Sequence, residues 1–340
     1  MNVDAVIVGA GPGGLSCAKS LAEHGLRVVV LEKKNVIGEK VCAGGITWSG
    51  MINKLPEELI EKMFFQQFLK TRYQQISITA EHPIIATVNR VKLGQFMAES
   101  ATKKGAEIIT GARVRHVDGK TVHFTRTGNG YKASYRYLIG ADGSNSTVRR
   151  FLGLTTRRFG IGITYYLPPS HADMLWNFNP IHFGCGYGWI FPHRTCMSVG
   201  AYSGEANMRV TQLNTQLTAW LRTLNLAVDK LKPHAEKISY DYQGHHFNRT
   251  YLVGDAAGLA SPLTGEGIHP AIVSGEAVAA SIRKSNHTDI ELSKLIKKHR
   301  KHEMMVKLAS SSSLTATVLS EISAFLIRIN LMSFKTFEMA

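Results

Sequence analysis

The feature that most constrains this sequence is a glycine turn placed directly after an apolar run at its start. Residues 3–8, VDAVIV, predict a buried parallel strand, and Gly9-x-Gly11-x-x-Gly14 follows at once. The segment LSCAKSLAEHG then has helical spacing, and LRVVVLE predicts a second buried strand that ends at Glu32. In such a unit Gly9 permits the tight turn, Gly11 lets the backbone approach a pyrophosphate, and Gly14 allows close packing of helix on strand.

The helix after this turn offers free N–H groups and the positive end of its dipole to phosphates. Glu32 comes at the distance at which an acidic residue hydrogen-bonds a ribose diol. Gly13 and Lys33 lie beside these positions and are expected to contact the same dinucleotide. NAD and FAD are both compatible with this motif alone, whereas Glu32 disfavours the 2′-phosphate of NADP.

A second glycine-rich turn, VGDAAGLASPLTGEGIHPA at 253–271, indicates which of these two cofactors the protein binds. FAD is long, so its ribityl chain and flavin ring need contacts far from the first fingerprint. Asp255, at the carboxyl end of an apolar strand, is suited to accept hydrogen bonds from ribityl hydroxyls. The N–H groups around Gly265, Gly267 and Ile268 favour negative charge at the N1–C2=O edge of a flavin. The sequence therefore predicts FAD.

A third segment, YLIGADGSNSTVRRFLG at 137–153, ends a strand with Gly-Ala-Asp-Gly; by itself it is also compatible with a plain strand-to-helix turn. The three segments together resemble the FAD-dependent oxidoreductases of the para-hydroxybenzoate hydroxylase fold. This resemblance implies that Asp142 belongs to a motif shared between FAD and NAD(P)H binding. It also implies that Arg90 contacts the cofactor and that the backbone of Val114 meets the adenine. Taken alone, Arg90 is equally compatible with a surface arginine at a helix start.

Two further motifs, EKVCAGGITWSG at 39–50 and GCGYGWIFPHR at 184–194, resemble the geranylgeranyl reductase family. Members of this family carry a Lys-x-Cys-Gly-Gly-like loop and a Tyr-x-Trp-x-Phe-Pro-Lys motif. The chain departs from that pattern at Ala43, where glycine is usual, and at His193, where lysine is commoner. The first departure matters little, and Ala43 is expected beside the cofactor. The second is expected to alter recognition of the substrate head group.

Three residues of these motifs are candidates for the catalytic site. Tyr187 and Trp189 alternate on one strand, so both are placed to line a cavity beside the flavin; an aromatic pair in a sheet core is the alternative. Cys42, in its glycine-rich loop, is placed to approach the cofactor or the reacting carbon, and Cys42 or water held near it is expected to donate the proton. An inert small residue is the alternative.

The expected fold class is α/β, with a Rossmann-like FAD-binding domain on a parallel sheet, an inserted and mostly antiparallel substrate domain, and a C-terminal helical region. The FAD-binding domain is expected at 1–73, 90–156 and 241–286. The substrate domain is expected at 74–89 and 157–240, and the helical region at 287–340.

Two local expectations complete this picture. The segment ISITAEHPIIATV at 76–88 predicts a hairpin with its turn at His82-Pro83. In the C-terminal region, apolar residues recur at helical spacing and are expected to dock on the protein's own core, with contact to a membrane surface as the alternative. They are Val318, Ile322, Phe325, Ile329 and Met332.

The charge balance restricts the partners. Forty basic and 25 acidic residues give a net charge of +15, which suits an anionic membrane surface, an acidic substrate or a solvated basic face. No nucleic-acid-binding signature accompanies the charge. The run KKHRKH at 297–302 favours peripheral contact with anionic lipid. Four irregularly spaced cysteines predict neither disulfide bonds nor a zinc site, and no other metal site is expected. The sequence shows no signal peptide and no membrane-spanning segment. We therefore expect a cytoplasmic protein.

The resemblance implies a reductase that saturates C=C bonds of a prenyl lipid by hydride transfer from N5 of reduced flavin. Because no second Gly-x-Gly-x-x-Gly follows a strand, NADPH or reduced ferredoxin is expected as a transient electron donor. The alternatives are a monooxygenase or halogenase acting through a C4a-hydroperoxide, and a non-catalytic flavin- or lipid-binding protein.

Overall fold

A computed structural model gives the fold and describes residues 1–47, 52, 55–205, 207–284 and 289–340. The end of the glycine loop, Trp48-Ser49-Gly50, lies outside the described residues. The strands are β1 Asn2–Val8, β2 Val28–Leu31, β3 Gly45–Thr47, β4 Ile60–Phe64, β5 Gln66–Lys70, β6 Gln75–Thr79, β7 Ile85–Val88, β8 Glu107–Ile109, β9 Arg113–Asp118, β10 Thr121–Arg126, β11 Asn129–Gly140, β12 Phe159–Leu167, β13 Leu175–Asn177, β14 Tyr187–Pro192, β15 Met197–Ser203, β16 His234–Ser239, β17 His246–Phe247 and β18 Thr250–Leu252. The helices are α1 Pro12–Ala22, α2 Arg90–Lys103, α3 Thr147–Phe151, α4 Pro180–Phe183, α5 Val210–Thr223, α6 Gly254–Ala257, α7 Ile268–Arg283, α8 Ile290–Ala309 and α9 Ser313–Arg328.

The first sheet has a parallel centre in the order β18-β11-β1-β2-β8, with β17, β10 and β9 added antiparallel. The register aligns Val8 with both Leu31 and Gly140, and Gly140 with Leu252. The carboxyl ends of these strands therefore meet at one edge, as parallel pairing requires. The three predicted strand-to-turn segments come together at this edge, which confirms the expected Rossmann-like sheet.

The helices of the two glycine turns, α1 and α7, pack directly against each other. A Cβ on Gly275 would lie 2.2 Å from the carbonyl oxygen of Gly13, and a Cβ on Gly13 would lie 2.8 Å from that of Ala271. Glycine at these two positions is thus explained by backbone-to-backbone contact between the helices.

The second sheet has the order β16-β12-β15-β14-β13-β5-β6 and is antiparallel except for the β13–β5 pair. One face is covered by α5, whose Leu213, Leu217 and Trp220 join the core formed with Ile163 and Val199. The opposite face carries aromatic side chains and borders the cavity described below. A mostly antiparallel sheet therefore accompanies the parallel one, as the sequence predicts.

The predicted hairpin at 76–88 is wrong. Its first half, β6, pairs with β5 in the seven-stranded sheet, whereas its second half, β7, pairs with β3 and β4 in a separate three-stranded sheet. Backbone hydrogen bonds from Ala80 to Phe65 and from Ile84 to Phe64 join the two halves to the same preceding ribbon. Each half thus pairs with residues in the range 60–70 and not with the other half. The strand β5, which the sequence places in the FAD-binding domain, pairs within the seven-stranded sheet.

The C-terminal region is helical, but the expected docking of its apolar row is wrong for four of its five members. Val318, Ile322, Phe325 and Ile329 are 46%, 49%, 51% and 44% exposed, and Met332 is half-buried. The helix docks instead through its other face, at Ala324 and Ile327. Since α9 is apolar on both faces, periodicity alone does not select the docked one. Among the described residues, no helix is long and apolar enough to cross a membrane.

Candidate active site

A cavity of about 1280 Å³ runs from the carboxyl edge of the parallel sheet to the aromatic face of the seven-stranded sheet. It brings together all but one of the residues predicted for the site; the exception, Gly14, packs beneath Gly9. The predicted residues that line it are Gly9, Gly11, Gly13, Glu32, Lys33, Cys42, Ala43, Arg90, Val114, Asp142, Tyr187, Trp189, Asp255, Gly265, Gly267 and Ile268.

The first fingerprint forms a cradle at one end of this cavity. Gly9 has φ +103°, and a Cβ there would lie 2.4 Å from the carbonyl oxygen of Ala141. At Gly11 the nearest protein atom to an added Cβ is 3.9 Å away, so this position faces open space. The Glu32 carboxylate accepts hydrogen bonds from the backbone N–H groups of Ala10 at 2.7 Å and Lys34 at 2.9 Å. These bonds fix the carboxylate at the edge of the cradle.

Arg90 stands at the first position of α2, whose N-cap Asn89 accepts hydrogen bonds from the N–H groups of Val91 and Lys92. Its Nε and Nη1 are buried and have no hydrogen-bond partner within the described part of the chain. Buried guanidinium nitrogens without partners are costly, and Arg90 borders the cavity. Together with the open space at Gly11, it fits a site built for an anionic dinucleotide.

At the second glycine turn, Asp255 lies in α6 and is buried. Its Oδ2 accepts hydrogen bonds from Lys40 Nζ at 2.7 Å and from the Ser144 hydroxyl at 3.4 Å. The Asp255 carboxylate raises the pKa of Lys40. Helix α7 begins at Ile268 with Gly267 as its N-cap, so the positive end of the helix borders the cavity.

Asp142 lies in the turn between β11 and α3. Its two oxygens accept hydrogen bonds from the Ser146 hydroxyl at 2.5 Å and from the Thr147 N–H at 2.6 Å. Burial raises the pKa of the Asp142 carboxyl. The side chain therefore stabilises the start of α3 while it also borders the cavity.

The cysteine loop, residues 39–45, follows β2 and crosses the cavity. The Gly44 N–H lies 3.4 Å from Cys42 Sγ, and the Tyr166 hydroxyl donates to the Cys42 carbonyl at 3.1 Å. His193 is buried; its Nε2 donates to the Ala43 carbonyl at 3.0 Å, and its Nδ1 lies 2.5 Å from Glu61 Oε2. The histidine that replaces the usual lysine thus holds this loop on the second sheet.

An aromatic chamber forms the other end of the cavity. Its members are Trp176, Phe178, Tyr187, Trp189, Phe191, Phe334 and Phe337. Within it, the ring centroids of Tyr187 and Trp189 are 5.9 Å apart. The Tyr187 hydroxyl donates to the Thr264 carbonyl at 2.7 Å, and Trp189 Nε1 donates to the Ser198 hydroxyl at 3.0 Å. Since these polar atoms are paired within the protein, the chamber presents apolar ring surface.

Comparison with known proteins agrees with this geometry. Residues 2–165 match the family described as FAD binding domain. An uncharacterised protein of Methanosarcina barkeri is 31% identical over 297 residues, which cover 83% of this chain and 75% of that protein. A geranylgeranyl diphosphate reductase of Rhodobacter capsulatus is 28% identical over 318 residues, covering 86% of this chain and 79% of that protein. The chain belongs to the geranylgeranyl reductase family of FAD-dependent oxidoreductases.

The fold of this geranylgeranyl reductase family member is shared with a solved structure. A geranylgeranyl bacteriochlorophyll reductase-like protein from Thermoplasma acidophilum superposes with a TM-score of 0.80 at 22% identity. The superposition covers 94% of this chain and 91% of the other.

Several residues of this family member border the cavity without having been predicted from the sequence. Lys40 belongs to the Lys-x-Cys motif, so that motif was the available signal. Glu266, between two predicted glycines, also lines the cavity, as do Phe334 and Phe337 near the end of the chain. No local motif marks the two phenylalanines, because only the tertiary fold brings them to the chamber.

Proposed function

We propose that this protein uses FAD to saturate C=C bonds of a prenyl (geranylgeranyl-type) lipid. The observation that supports this most is the continuity of one cavity, which joins a dinucleotide cradle to an apolar aromatic chamber. A prenyl chain offers apolar surface and isolated double bonds, and aromatic walls suit such a ligand. The name of the Rhodobacter relative supports the same substrate class.

Different residues that line the cavity are proposed to bind different parts of FAD. The backbone at Gly9, Gly11 and Gly13 and the start of α1 hold the pyrophosphate, and Arg90 supplies the charge. On the adenosine side, Glu32 and Lys33 would meet the ribose, and Val114 would meet the adenine through its backbone. Asp142, which lies beside Gly9 at the edge of the cavity, belongs to the motif proposed to be shared between FAD and NAD(P)H binding. On the flavin side, Ala43, Asp255 and the N–H groups of Gly265, Gly267 and Ile268 hold the ribityl chain and the ring.

When bound and reduced, FAD supplies a hydride. The protein's own part is to exclude water, to orient the alkene against Tyr187 and Trp189, and to supply a proton. Cys42 lines the cavity between the cradle and the chamber, so its thiol is assigned as the group that holds this proton. Electrons arrive from NADPH or a reduced ferredoxin, since the one strand-associated fingerprint is taken by FAD.

Peripheral contact with an anionic membrane belongs to the same proposal. The exposed members of the apolar row, three on α9 and Ile329 directly after it, present four large side chains to solvent, and the chain carries a net charge of +15. Apolar side chains that insert and basic residues that attract anionic lipid act together at membrane surfaces. A membrane is also where a prenyl lipid resides.

The test is anaerobic photoreduction of the FAD-loaded protein with geranylgeranyl-type lipids, followed by mass spectrometry of the lipid. We expect a gain of two hydrogens for each double bond reduced. A product that gains oxygen in air with NADPH would instead support a monooxygenase. Absence of product with photoreduced flavin, dithionite and reduced ferredoxin would support a non-catalytic binding protein.

A further inference from the structure

The C-terminal tail, residues 334–339, forms part of the chamber wall. The Phe334 ring lies 5.6 Å from that of Trp176, and the Phe337 ring lies 6.4 Å from that of Phe178, measured between centroids. Both phenylalanines are buried. The wall is therefore completed by a short segment beyond the last long helix.

Polar contacts attach this tail at several points. From α8, Lys298 Nζ donates to the Lys335 carbonyl at 3.1 Å and His302 Nε2 donates to the Thr336 carbonyl at 3.1 Å. From the second glycine turn, Glu266 Oε2 accepts a hydrogen bond from the Met339 N–H at 2.8 Å. Glu266 is thus the contact that joins the tail to a turn lining the cofactor end of the cavity.

The charge of Glu266 is sensitive to its surroundings. Burial raises the pKa of its carboxyl to about 7, and the Glu338 carboxylate also raises this pKa, whereas the Met339 N–H and Lys298 lower it. The Tyr187 phenol is a further ionisable group close enough to sense this carboxylate. Glu266 is half-buried beside the cavity, and opening of the tail would expose it further and move its pKa towards the ordinary value of 4.5. Protonation therefore favours the docked tail, so docking is strongest below about pH 4.5 and weakens as the pH rises from there to about 7.

We propose that Glu266 is a positioning residue that docks the C-terminal tail, and with it Phe334 and Phe337, as a movable wall of the aromatic chamber. The inference rests on the proposed function, because movement of this wall would serve to admit a long prenyl chain to the chamber. It assigns Glu266 no contact with the reacting atoms.

The test is hydrogen exchange of peptides that cover residues 334–339 in the FAD-loaded protein at pH 6 and pH 8.5, after correction for intrinsic rates. In the wild type we expect exchange to be about tenfold faster at pH 8.5, since docking weakens by up to about tenfold per pH unit between the open-state pKa and the docked pKa of about 7, and stays constant above it. Glu266→Gln keeps an acceptor for the Met339 N–H without the charge, so its exchange should not depend on pH. Glu266→Ala should exchange about fivefold faster than Glu266→Gln at pH 6, because the hydrogen bond is lost.

Glu321→Ala is the matched control, because Glu321 also accepts a backbone hydrogen bond, from Tyr73 at 3.1 Å, but does so away from the tail. It should leave exchange of the tail unchanged. Wild-type pH dependence retained in Glu266→Gln, or wild-type protection retained in Glu266→Ala, would overturn the positioning role. The exchange measurement needs no turnover, so a protein that reduces no lipid yet shows the Glu266→Gln effect contradicts the proposed function and supports the role of Glu266.

Discussion

Lys40 Nζ lies 2.7 Å from Asp255 Oδ2 and so joins two segments that are 215 residues apart in the chain. Lys40 belongs to the cysteine loop and Asp255 to the second glycine turn, and both line the cavity. The Lys40 side chain is 43% exposed and that of Asp255 is 7% exposed. This ion pair ties the loop that carries Cys42 to the turn proposed to hold the flavin.

Replacement of Lys40 by glutamine should weaken FAD binding about three- to tenfold, because it removes a positive charge from a cavity proposed to hold a diphosphate. The effect is modest because water screens a half-exposed ammonium group. Titration of apo-protein with FAD, followed by flavin fluorescence, measures it. Lys104→Gln is the control, since Lys104 forms a pair of the same 2.7 Å length with Glu23 on the surface. Equal affinities for the two variants would contradict the assignment of Lys40.

Gly11→Ala and Gly14→Ala should separate cofactor binding from packing. At Gly11 the backbone has φ −76° and a Cβ meets no protein atom within 3.9 Å, so the apo-protein should lose less than about 0.5 kcal/mol of unfolding free energy. FAD affinity should nevertheless fall about tenfold or more, because the Cβ occupies the approach to the pyrophosphate. Gly14→Ala should destabilise the apo-protein by about 2–3 kcal/mol, because its Cβ would lie 2.1 Å from the Gly9 carbonyl. Denaturant unfolding and FAD titration of both variants measure the difference, and a Gly11→Ala protein with wild-type FAD affinity would remove the pyrophosphate assignment.

Arg90→Met should leave the apo-protein as stable as the wild type or more stable by about 1 kcal/mol, because it removes two buried guanidinium nitrogens that have no hydrogen-bond partner among the described residues. FAD affinity should fall about 10- to 100-fold through loss of a charge-assisted contact. Arg222→Met is the control, since Arg222 is paired with Asp229 at 2.5 Å on the surface. A marked loss of apo-stability together with unchanged FAD affinity would show that Arg90 is structural.

The sequence predicts correctly those parts of the molecule whose positions follow from the order of neighbouring strands, turns and helices. Gly9, Glu32, Asp142 and Asp255 each follow a parallel strand, and parallel pairing brings all such ends to one edge. The order of strand, turn and helix therefore predicts both the Rossmann-like sheet and most of the cradle.

The parts that were missed depend on contacts between distant segments. The ribbon at 60–70 passes from one sheet to another at Phe65, so β6 and β7 find separate partners instead of each other. Phe337 follows α9, which packs on the second sheet through Ala324 and Ile327, and this contact brings the phenylalanine to the chamber. The raised pKa of Glu266 depends on its burial and on Glu338, which is far away in sequence. The domain boundaries stay a prediction.

Acid should destabilise the protein through two buried histidines. Burial lowers the pKa values of His299 and His302 to about 4, so each stays neutral in the folded protein while it becomes charged in the unfolded chain below about pH 6.5. The contribution of these two histidines to stability is therefore greatest above pH 6.5, and each histidine removes about 2 kcal/mol as the pH falls from 6.5 to 5. Glu266 has the opposite sign, because its raised pKa favours the folded state as the pH falls from about 7.

Comparison of the wild type with His302→Gln isolates the effect of His302, because Glu266 is present in both proteins and its contribution cancels. The stability advantage of the wild type over His302→Gln should shrink by about 2 kcal/mol between pH 7 and pH 5, measured by denaturant unfolding. Thr317→Val, which removes a buried hydroxyl that does not titrate in this range, is the control, and its difference from the wild type should be the same at both pH values. A difference between wild type and His302→Gln that is independent of pH would mean that His302 does not titrate as described.

The exposed row on α9 gives a prediction for membrane contact. Ile322→Asp with Phe325→Asp should lower binding to vesicles that contain anionic lipid at least about tenfold, because each half-exposed side chain contributes about 1 kcal/mol on insertion and each carboxylate is repelled. Vesicle sedimentation at low and high salt measures this, and basic residues make the binding weaken as salt rises. Substitution is preferable to truncation before α9, because truncation would also remove Phe334 and Phe337 from the chamber. Tyr131→Asp, at an equally exposed aromatic residue on β11, is the control, and equal sedimentation of this variant and the double variant would contradict contact through α9.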